Sequence, residues 1–404
     1  MSSGRLTLLI FIGLVLGIAA GYVCHTFFVQ QSGPFAQLAT LFPTIFLRLI
    51  KMIIAPLVVS TLTVGIARMG DIATVGRIGG KALGWFAFAS LLSLTLGLIL
   101  VGLLEPGKAM HLALPAAAAA PDVPGERLSL QGFIAHTIPI SVIDAMSRNE
   151  ILQIVVFSLF FGSAMAALGE RAQRVVAVLD DVSHIMLKVT AYVMPFAPLA
   201  VLGALAGAVA KEGLDVIRVY GLFISEFYLG ILILWMVLIA LGVLIYGRRT
   251  VQLVHRVRGP VLLAFSTASS EAAYPRLLEE LERFGISNRI ASFVLPMGYS
   301  FNGDGSMMYC TFSIMFIAQV YGIEISLGQQ IMMLLVLMVT TKGMAGVPRA
   351  SLVVVAATLP QFNIPETGLL LLLGIEHFLD MGRSATNVIG NSIAAAIVSK
   401  WERE

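Results

Sequence analysis

The chain has 404 residues, of which 58% are hydrophobic and only 12% charged, with a mean hydropathy of +0.92. Soluble domains average about 45–50% apolar and about 25% charged residues, so this composition excludes a soluble protein and places nearly the whole chain in a bilayer. The net charge of +3 comes from basic residues scattered among short loops, which excludes a nucleic-acid partner.

The two cysteines, Cys24 and Cys310, sit in apolar context without C-x-x-C spacing. They read as buried thiols and point to neither a disulfide framework nor a metal site. Residues 6–29 form a first apolar run without an A-x-A-like cleavage site, so they read as a transmembrane helix and not as a cleaved signal. Further spans are expected at 40–67, 82–104, 149–168, 184–210 and 219–246, each long enough to cross about 30 Å of hydrocarbon. The Ala- and Pro-rich stretch 113–124 reads as a flexible loop. Basic residues gather at Arg68, Arg77 and Lys81, at Arg171 and Arg174, at Arg248, Arg249, Arg256 and Arg258, and at Lys400 and Arg403. The positive-inside bias puts all of these, and both termini, in the cytoplasm.

Beyond residue 258 the pattern changes. The apolar run 261–265 is too short to span and ends in the serine-rich stretch 266–271, followed by Pro275 and an amphipathic arm at 277–283. A helical hairpin that enters and returns on one side is the simplest layout. A span beginning near 290 is interrupted at 302–306, where two glycines weaken the helix and Asp304 sits at mid-depth. Two short apolar arms, 331–339 and 352–359, then flank the polar stretch 340–351 as a second hairpin, and a last span runs over 366–400. The predicted fold is an all-α polytopic membrane protein with eight transmembrane helices and two re-entrant helical hairpins. Hairpins and polar-interrupted helices alternate from opposite sides, an inverted-repeat layout that places a transporter's binding site at the bilayer midplane.

Candidate site residues follow from this layout. Within 374–391, Glu376, Asp380, Arg383, Asn387 and Asn391 fall in a helical stripe roughly 80° wide. Charges at this depth need a partner, a cavity or a substrate. Arg383 can fork onto a carboxylate and Asp380 can hold an ammonium, which together describe an acidic α-amino acid; an internal Asp380–Arg383 salt bridge is the alternative and describes the empty state. Ser269 and Ser270 at the first hairpin tip suit a second carboxylate. Asn302 and Asp304, with the neighbouring glycine carbonyls, offer oxygen ligands for a hard cation or a proton site. Glu376 and His377 lie nearer the outer end of the helix, where water can reach them. Glu271, Lys342 and Arg349 lie at hairpin tips, as gate residues or as fixed charges. A serine nucleophile with His377 as base is the enzymatic alternative, but no G-x-S-x-G or H-E-x-x-H motif supports it. A pore lined by the same helices is the channel alternative.

Four stretches, 266–275, 298–306, 346–351 and 379–387, occur in the same order in the dicarboxylate/amino acid:cation symporter family of glutamate transporter homologues, and the chain resembles that family over nearly its whole length. The resemblance implies a homotrimer in the bacterial inner membrane, moving substrate by an elevator mechanism and needing no cofactor. Scaffold elements would lie at about 40–80 and 130–246, and transport elements at 82–104 and 251–400. The latter comprise hairpin 1 (251–289), helix 7 (290–322), hairpin 2 (326–364) and helix 8 (366–400), with 1–35 left unassigned. By the same analogy Ser269, Ser270, Ser306, Gly346, Asp380, Arg383, Ser384 and Asn387 would line the substrate site, with Pro348 and Arg349 at the gate. Coupling candidates are Glu271, Asn302, Asp304, Lys342, Glu376 and Asn391. Where sodium-coupled members carry an aspartate, a tyrosine and a threonine, this chain has Asn391, Phe86 and Ala89, so sodium ligands are missing. The chain is most similar to the bacterial proton–glutamate/aspartate symporters, which implies H⁺ as coupling ion with Na⁺ as the alternative. C4-dicarboxylate symporters are the competing resemblance. They need no acid at the position of Asp380.

Overall fold

The computed structural model describes residues 3–67, 72–109, 137–213, 215–341, 350–373 and 375–402, all helix, turn or coil without a strand among them. Gly346, Lys342, Pro348 and Arg349 lie outside the described residues, as do the loop 113–124, Arg68 and Arg403. The long helices are α1 (Ser3–Phe27), α2 (Leu41–Ala67), α3 (Ile72–Leu104), α4 (Ile151–Leu168), α5 (Gln173–Val193), α6 (Ala197–Glu212) and α7 (Asp215–Tyr246). Among the described residues, five stretches are long and apolar enough to cross a bilayer: Leu8–Phe27, Val29–Ala67, Ala73–Lys108, Ile151–Lys211 and Tyr220–Tyr246.

The expected span at 184–210 needs correcting. It is cut by a 3-10 turn, Met194–Phe196, between α5 and α6. Pro195 and Pro198 supply no backbone N–H and so break the helical ladder where an apolar scan sees one continuous run.

In the second half the helix breaks fall within the expected polar stretches 266–271 and 302–306, whereas the last span, expected over 366–400, is helical as one piece only from Glu376. α8 (Arg258–Thr267) ends at Ala268 in the left-handed region, φ 50°, and after a 3-10 turn at Glu271–Ala273 the chain continues as the amphipathic α9 (Tyr274–Phe284). The interrupted span is two helices, α10 (Asn288–Phe301) and α11 (Asp304–Val320), separated at Asn302 and Gly303. α12 (Leu327–Thr340) opens with a capping box, Ser326 with Gln329, and packs against α13 (Ala350–Thr358). The final helix α14 (Glu376–Glu402) follows two short turns at 366–373.

α14 is the hub of this half. It packs on α7, α8, α10, α11 and α3, and from Met381 to Ser399 nearly every residue is buried. α2 packs on α4 and α5, and α1 on α6. α7, which falls within the segment 130–246 expected as scaffold, is therefore seated on α14. At one end of the bundle Arg77 and Lys81 of α3 both reach Glu402, at 3.0 and 2.5 Å, joining two basic clusters of the sequence. On α9, Glu280 takes Arg256 at 2.7 Å and Arg276 at 2.8 Å.

Candidate functional site

Among the described residues, the polar side chains of the site come from four places: the stripe on α14, the α10–α11 break, α3 and α13. Asp304 starts α11 and has no exposed surface. Its carboxylate accepts from Ser93 Oγ at 3.2 Å and from Asn302 Nδ2 at 3.3 Å. Asn302 Nδ2 also donates to Asn391 Oδ1 at 3.1 Å. These contacts require close backbones. A Cβ on Gly390 would collide with the Asp304 carboxylate, and one on Gly298 with the Asn391 amide. Asn302 Oδ1 and Asn391 Nδ2 are buried without a hydrogen-bond partner. Uncompensated polar atoms of this kind are costly in a membrane interior. Together with the Asp304 carboxylate, the Asn302 oxygen fits a hard cation or a hydronium-sized guest better than an apolar filler.

One turn toward the helix start, Asn387 bridges the break from the other side. Its Oδ1 accepts from the Gly305 amide at 2.8 Å and the Ser306 amide at 3.4 Å, while Nδ2 donates to Ser306 Oγ at 3.2 Å. The first amides of a helix have no intrahelical acceptor, and Asn387 supplies one for α11. Gly305 is needed here because a Cβ would strike the Arg383 backbone carbonyl.

Arg383 lies four residues earlier. Its Nε and Nη2 engage Asp380 Oδ1, and Nη1 donates to Ser306 Oγ at 3.3 Å and to Ser351 Oγ of α13 at 2.8 Å. Ser384 Oγ donates to the same Asp380 oxygen at 3.4 Å. Both charged side chains are largely buried, 15% and 14% exposed. An internal Asp380–Arg383 salt bridge is thus present, and each guanidinium nitrogen meets a protein oxygen. Buried pairs of this kind are weak sources of stability.

The sequence-derived residues are placed as follows. Ser306, Asp380, Arg383, Ser384 and Asn387 form one connected network, and Asn302, Asp304 and Asn391 form the adjoining one. Glu376 corrects the expectation of a solvated carboxylate: it is 3% exposed, and its Oε2 accepts the hydroxyl hydrogen of Tyr309 on α11. His377 is half-buried, with its ring against Phe378. Between α8 and α9, Ser269 Oγ accepts the Ala272 amide at 3.3 Å, and neither Ser269 nor Ser270 bonds to the Arg383 network among the described residues. Glu271 stands on a small cavity lined by Ile54, Val58, Ile151, Tyr274, Pro296 and Tyr299, facing α2 and α4.

Three contributors escape the sequence reading. Ser93 lies three residues beyond Ser90 in an apolar helix and meets Asp304 across 211 positions of chain; the Ser90/Ser93 pair at i,i+3 is the signal that could have found it. Ser351 belongs to a motif read as a gate and touches Arg383 directly. Tyr309 had no signal, because a tyrosine in an apolar helix is ordinary. Two anchors hold α14 from behind: Tyr228 donates to the Phe378 carbonyl at 2.6 Å and Trp235 to Thr386 Oγ1 at 2.8 Å.

Residues 6–401 match the model of the sodium:dicarboxylate symporter family. A C4-dicarboxylate transport protein of Bacillus subtilis is 38% identical over 365 residues, covering 89% of this chain and 86% of that protein. A proton/sodium-glutamate symport protein of Bacillus caldotenax is 38% identical over 413 residues, 97% of this chain and 93% of that protein. The proton/glutamate-aspartate symporter of Escherichia coli is 36% identical over 403 residues, 98% of this chain and 92% of that protein.

Proposed function

The chain belongs to the sodium:dicarboxylate symporter family, a family of membrane transporters and not of enzymes, and from that premise we propose that it takes up L-glutamate or L-aspartate in symport with protons. The observation that carries this reading is the Asp380–Arg383 pair opposed by Ser306 and Asn387. Arg383 fits the side-chain carboxylate of an acidic amino acid in a bidentate fork. Asp380, released from Arg383 by that exchange, would otherwise remain buried and unpaired, a state costing about 3–5 kcal/mol. An α-ammonium removes that cost; a substrate without one does not.

The proton reading rests on Asn391, Phe86 and Ala89, which provide no carboxylate, phenol or hydroxyl where a sodium ion would need oxygen ligands. Sodium is the alternative coupling ion. In this reading the chain forms eight membrane crossings and two re-entrant hairpins, with both termini on the cytoplasmic face of the bacterial inner membrane, and assembles as a homotrimer. The moving body comprises α3 and residues 251–400, and the seating of α7 on α14 argues for counting α7 with it. Its vertical travel relative to α2, α4 and α5 would carry substrate across as an elevator.

A second reading, C4-dicarboxylate symport, draws support from relatives of equal identity bearing that name. Counterflow separates the two. Proteoliposomes preloaded with unlabelled L-aspartate should accelerate uptake of labelled L-glutamate, and preloading with succinate should not. Acceleration by succinate alone would favour the dicarboxylate reading, and acceleration by neither would point to a channel.

A further inference from the structure

Over Tyr220–Tyr246, the membrane span of α7, the only charged residue is Glu226, which the binding and coupling chemistry above does not use. It is half-buried, and its Oε2 is enclosed without a hydrogen-bond partner. Two donors in this part of the bundle are spent elsewhere. Ser225 Oγ donates to the Leu222 carbonyl at 2.8 Å, and Lys108, on the short helix Pro106–Ala109 that packs against α7, holds Glu105 at 2.7 Å. A carboxyl group at membrane depth marks a functional site, because hydrocarbon supplies neither water nor a counter-ion.

Depth and facing narrow what Glu226 can meet. Arg248 and Arg249 follow one end of α7, and the positive-inside bias assigns that end to the cytoplasm. The 27 residues of the span reach about 40 Å, a bilayer with both headgroup layers. Glu226 comes six residues after Tyr220, about 9 Å from the outer end and so just beneath the outer headgroups. Around the helix, Phe223 and Phe227 are fully buried against Phe312 of α11, whereas Leu222, Leu229, Leu232 and Met236 are 42–61% exposed. At about 100° per residue Glu226 falls between these two sets, at the edge of the exposed stripe. In a bilayer that stripe meets lipid chains.

We infer that Glu226 anchors a lipid site that takes the primary ammonium headgroup of an outer-leaflet phospholipid, with the acyl chains along Leu229, Leu232 and Met236. An ammonium carries the charge complementary to a carboxylate and three N–H donors, one of which supplies the bond that Oε2 lacks. A trimethylammonium headgroup has the charge and no N–H, so the site selects phosphatidylethanolamine over phosphatidylcholine. At its depth Glu226 meets the ammonium without drawing the lipid phosphate into hydrocarbon. Occupancy bears on the substrate site from behind. Tyr228 donates to the Phe378 carbonyl and Trp235 to Thr386 Oγ1, both on the helix that carries Asp380 and Arg383.

The test uses the full-length chain in detergent, wild type beside Glu226→Gln, with thermal unfolding followed as lipids of identical acyl chains are added. Phosphatidylethanolamine should raise the wild-type melting temperature by about 2–4 °C more than phosphatidylcholine does, and its N-monomethyl and N,N-dimethyl forms should fall between. Glu226→Gln should respond to all four lipids alike. Equal responses in the wild type would overturn the inference, as would a preference for phosphatidylethanolamine that survives in Glu226→Gln, which would place the ammonium elsewhere. Should Glu226→Gln not fold, the wild type alone decides through dicyclohexylcarbodiimide, an apolar carboxyl reagent, with modification of Glu226 read by peptide mass. Labelling slowed at least about threefold by phosphatidylethanolamine relative to phosphatidylcholine supports the site, and equal rates overturn it. Neither measurement involves transport, so failure here leaves the symport reading untouched.

Discussion

Arg383→Ala is the sharpest perturbation of the binding network. The side chain removed engages Asp380 through Nε and Nη2, and Ser306 and Ser351 through Nη1, so its loss has two separable consequences. For stability, Asp380 at 14% exposure is left as a nearly buried, uncompensated carboxylate, which costs about 3–5 kcal/mol. For binding, the substrate loses a bidentate, charge-assisted contact in a site screened from water, worth about 2–5 kcal/mol on truncation, or roughly 30-fold to several thousand-fold in affinity. The two are separated by pairing the variant with Asp380→Asn, which removes the orphaned charge: thermal stability should largely recover while L-glutamate affinity does not. Affinity can be followed in detergent through Trp235, whose indole donates to Thr386 within one turn of Arg383. Neutral amino acids should gain relative to acidic ones in the single variant. Unchanged L-glutamate affinity in Arg383→Ala would refute the role given to the guanidinium.

Other expectations follow from the same contacts. Asn391→Asp places a second carboxylate beside Asn302 and Asp304, and buried like charges need a cation; uptake by this variant should become sodium-stimulated, and sodium-indifferent uptake would contradict the account of the missing ligand. Gly305→Ala drives a Cβ into the Arg383 carbonyl, a backbone atom that cannot step aside, so unfolding should be easier by about 1–3 kcal/mol and substrate binding weaker; a wild-type melting temperature would contradict the close approach. Arg77, with Lys81, holds the Glu402 carboxyl below its usual range. A depressed carboxyl contributes stability that is present above its unfolded value of about 4.3 and lost as pH falls through the lower folded value. Wild type should therefore lose stability on acidification from about pH 5 that Glu402→Gln does not lose, a difference of no more than about 1 kcal/mol for so partly solvated a group; parallel melting curves against pH would contradict it.

Much of the architecture is legible in the chain because the bilayer makes polarity conspicuous. The α10–α11 break is announced by Asn302-Gly303-Asp304-Gly305, and the Asp380–Arg383 pair by its placement in an otherwise apolar region. What stays hidden is whatever depends on contacts between distant segments. Ser93 meets Asp304, and Ser351 meets Arg383, only after folding, and hydroxyls in apolar helices ordinarily bond to their own backbone, as Ser93 also does to the Ala89 carbonyl at 2.8 Å. Glu376 is hidden for a related reason: its place at the start of α14 suggests an accessible end, but it is buried and takes the hydroxyl of Tyr309 from α11. The cut at Met194–Phe196 escaped a hydropathy scan because prolines break hydrogen bonding without lowering apolarity.

The central claim, proton-driven uptake of acidic amino acids through the Asp380–Arg383 site, is tested most directly by labelled L-glutamate uptake into proteoliposomes under an imposed proton gradient or an imposed sodium gradient, each alone. Accumulation above equilibrium with the inward proton gradient, at zero sodium, is the predicted result. Accumulation that requires sodium and ignores the proton gradient would contradict it.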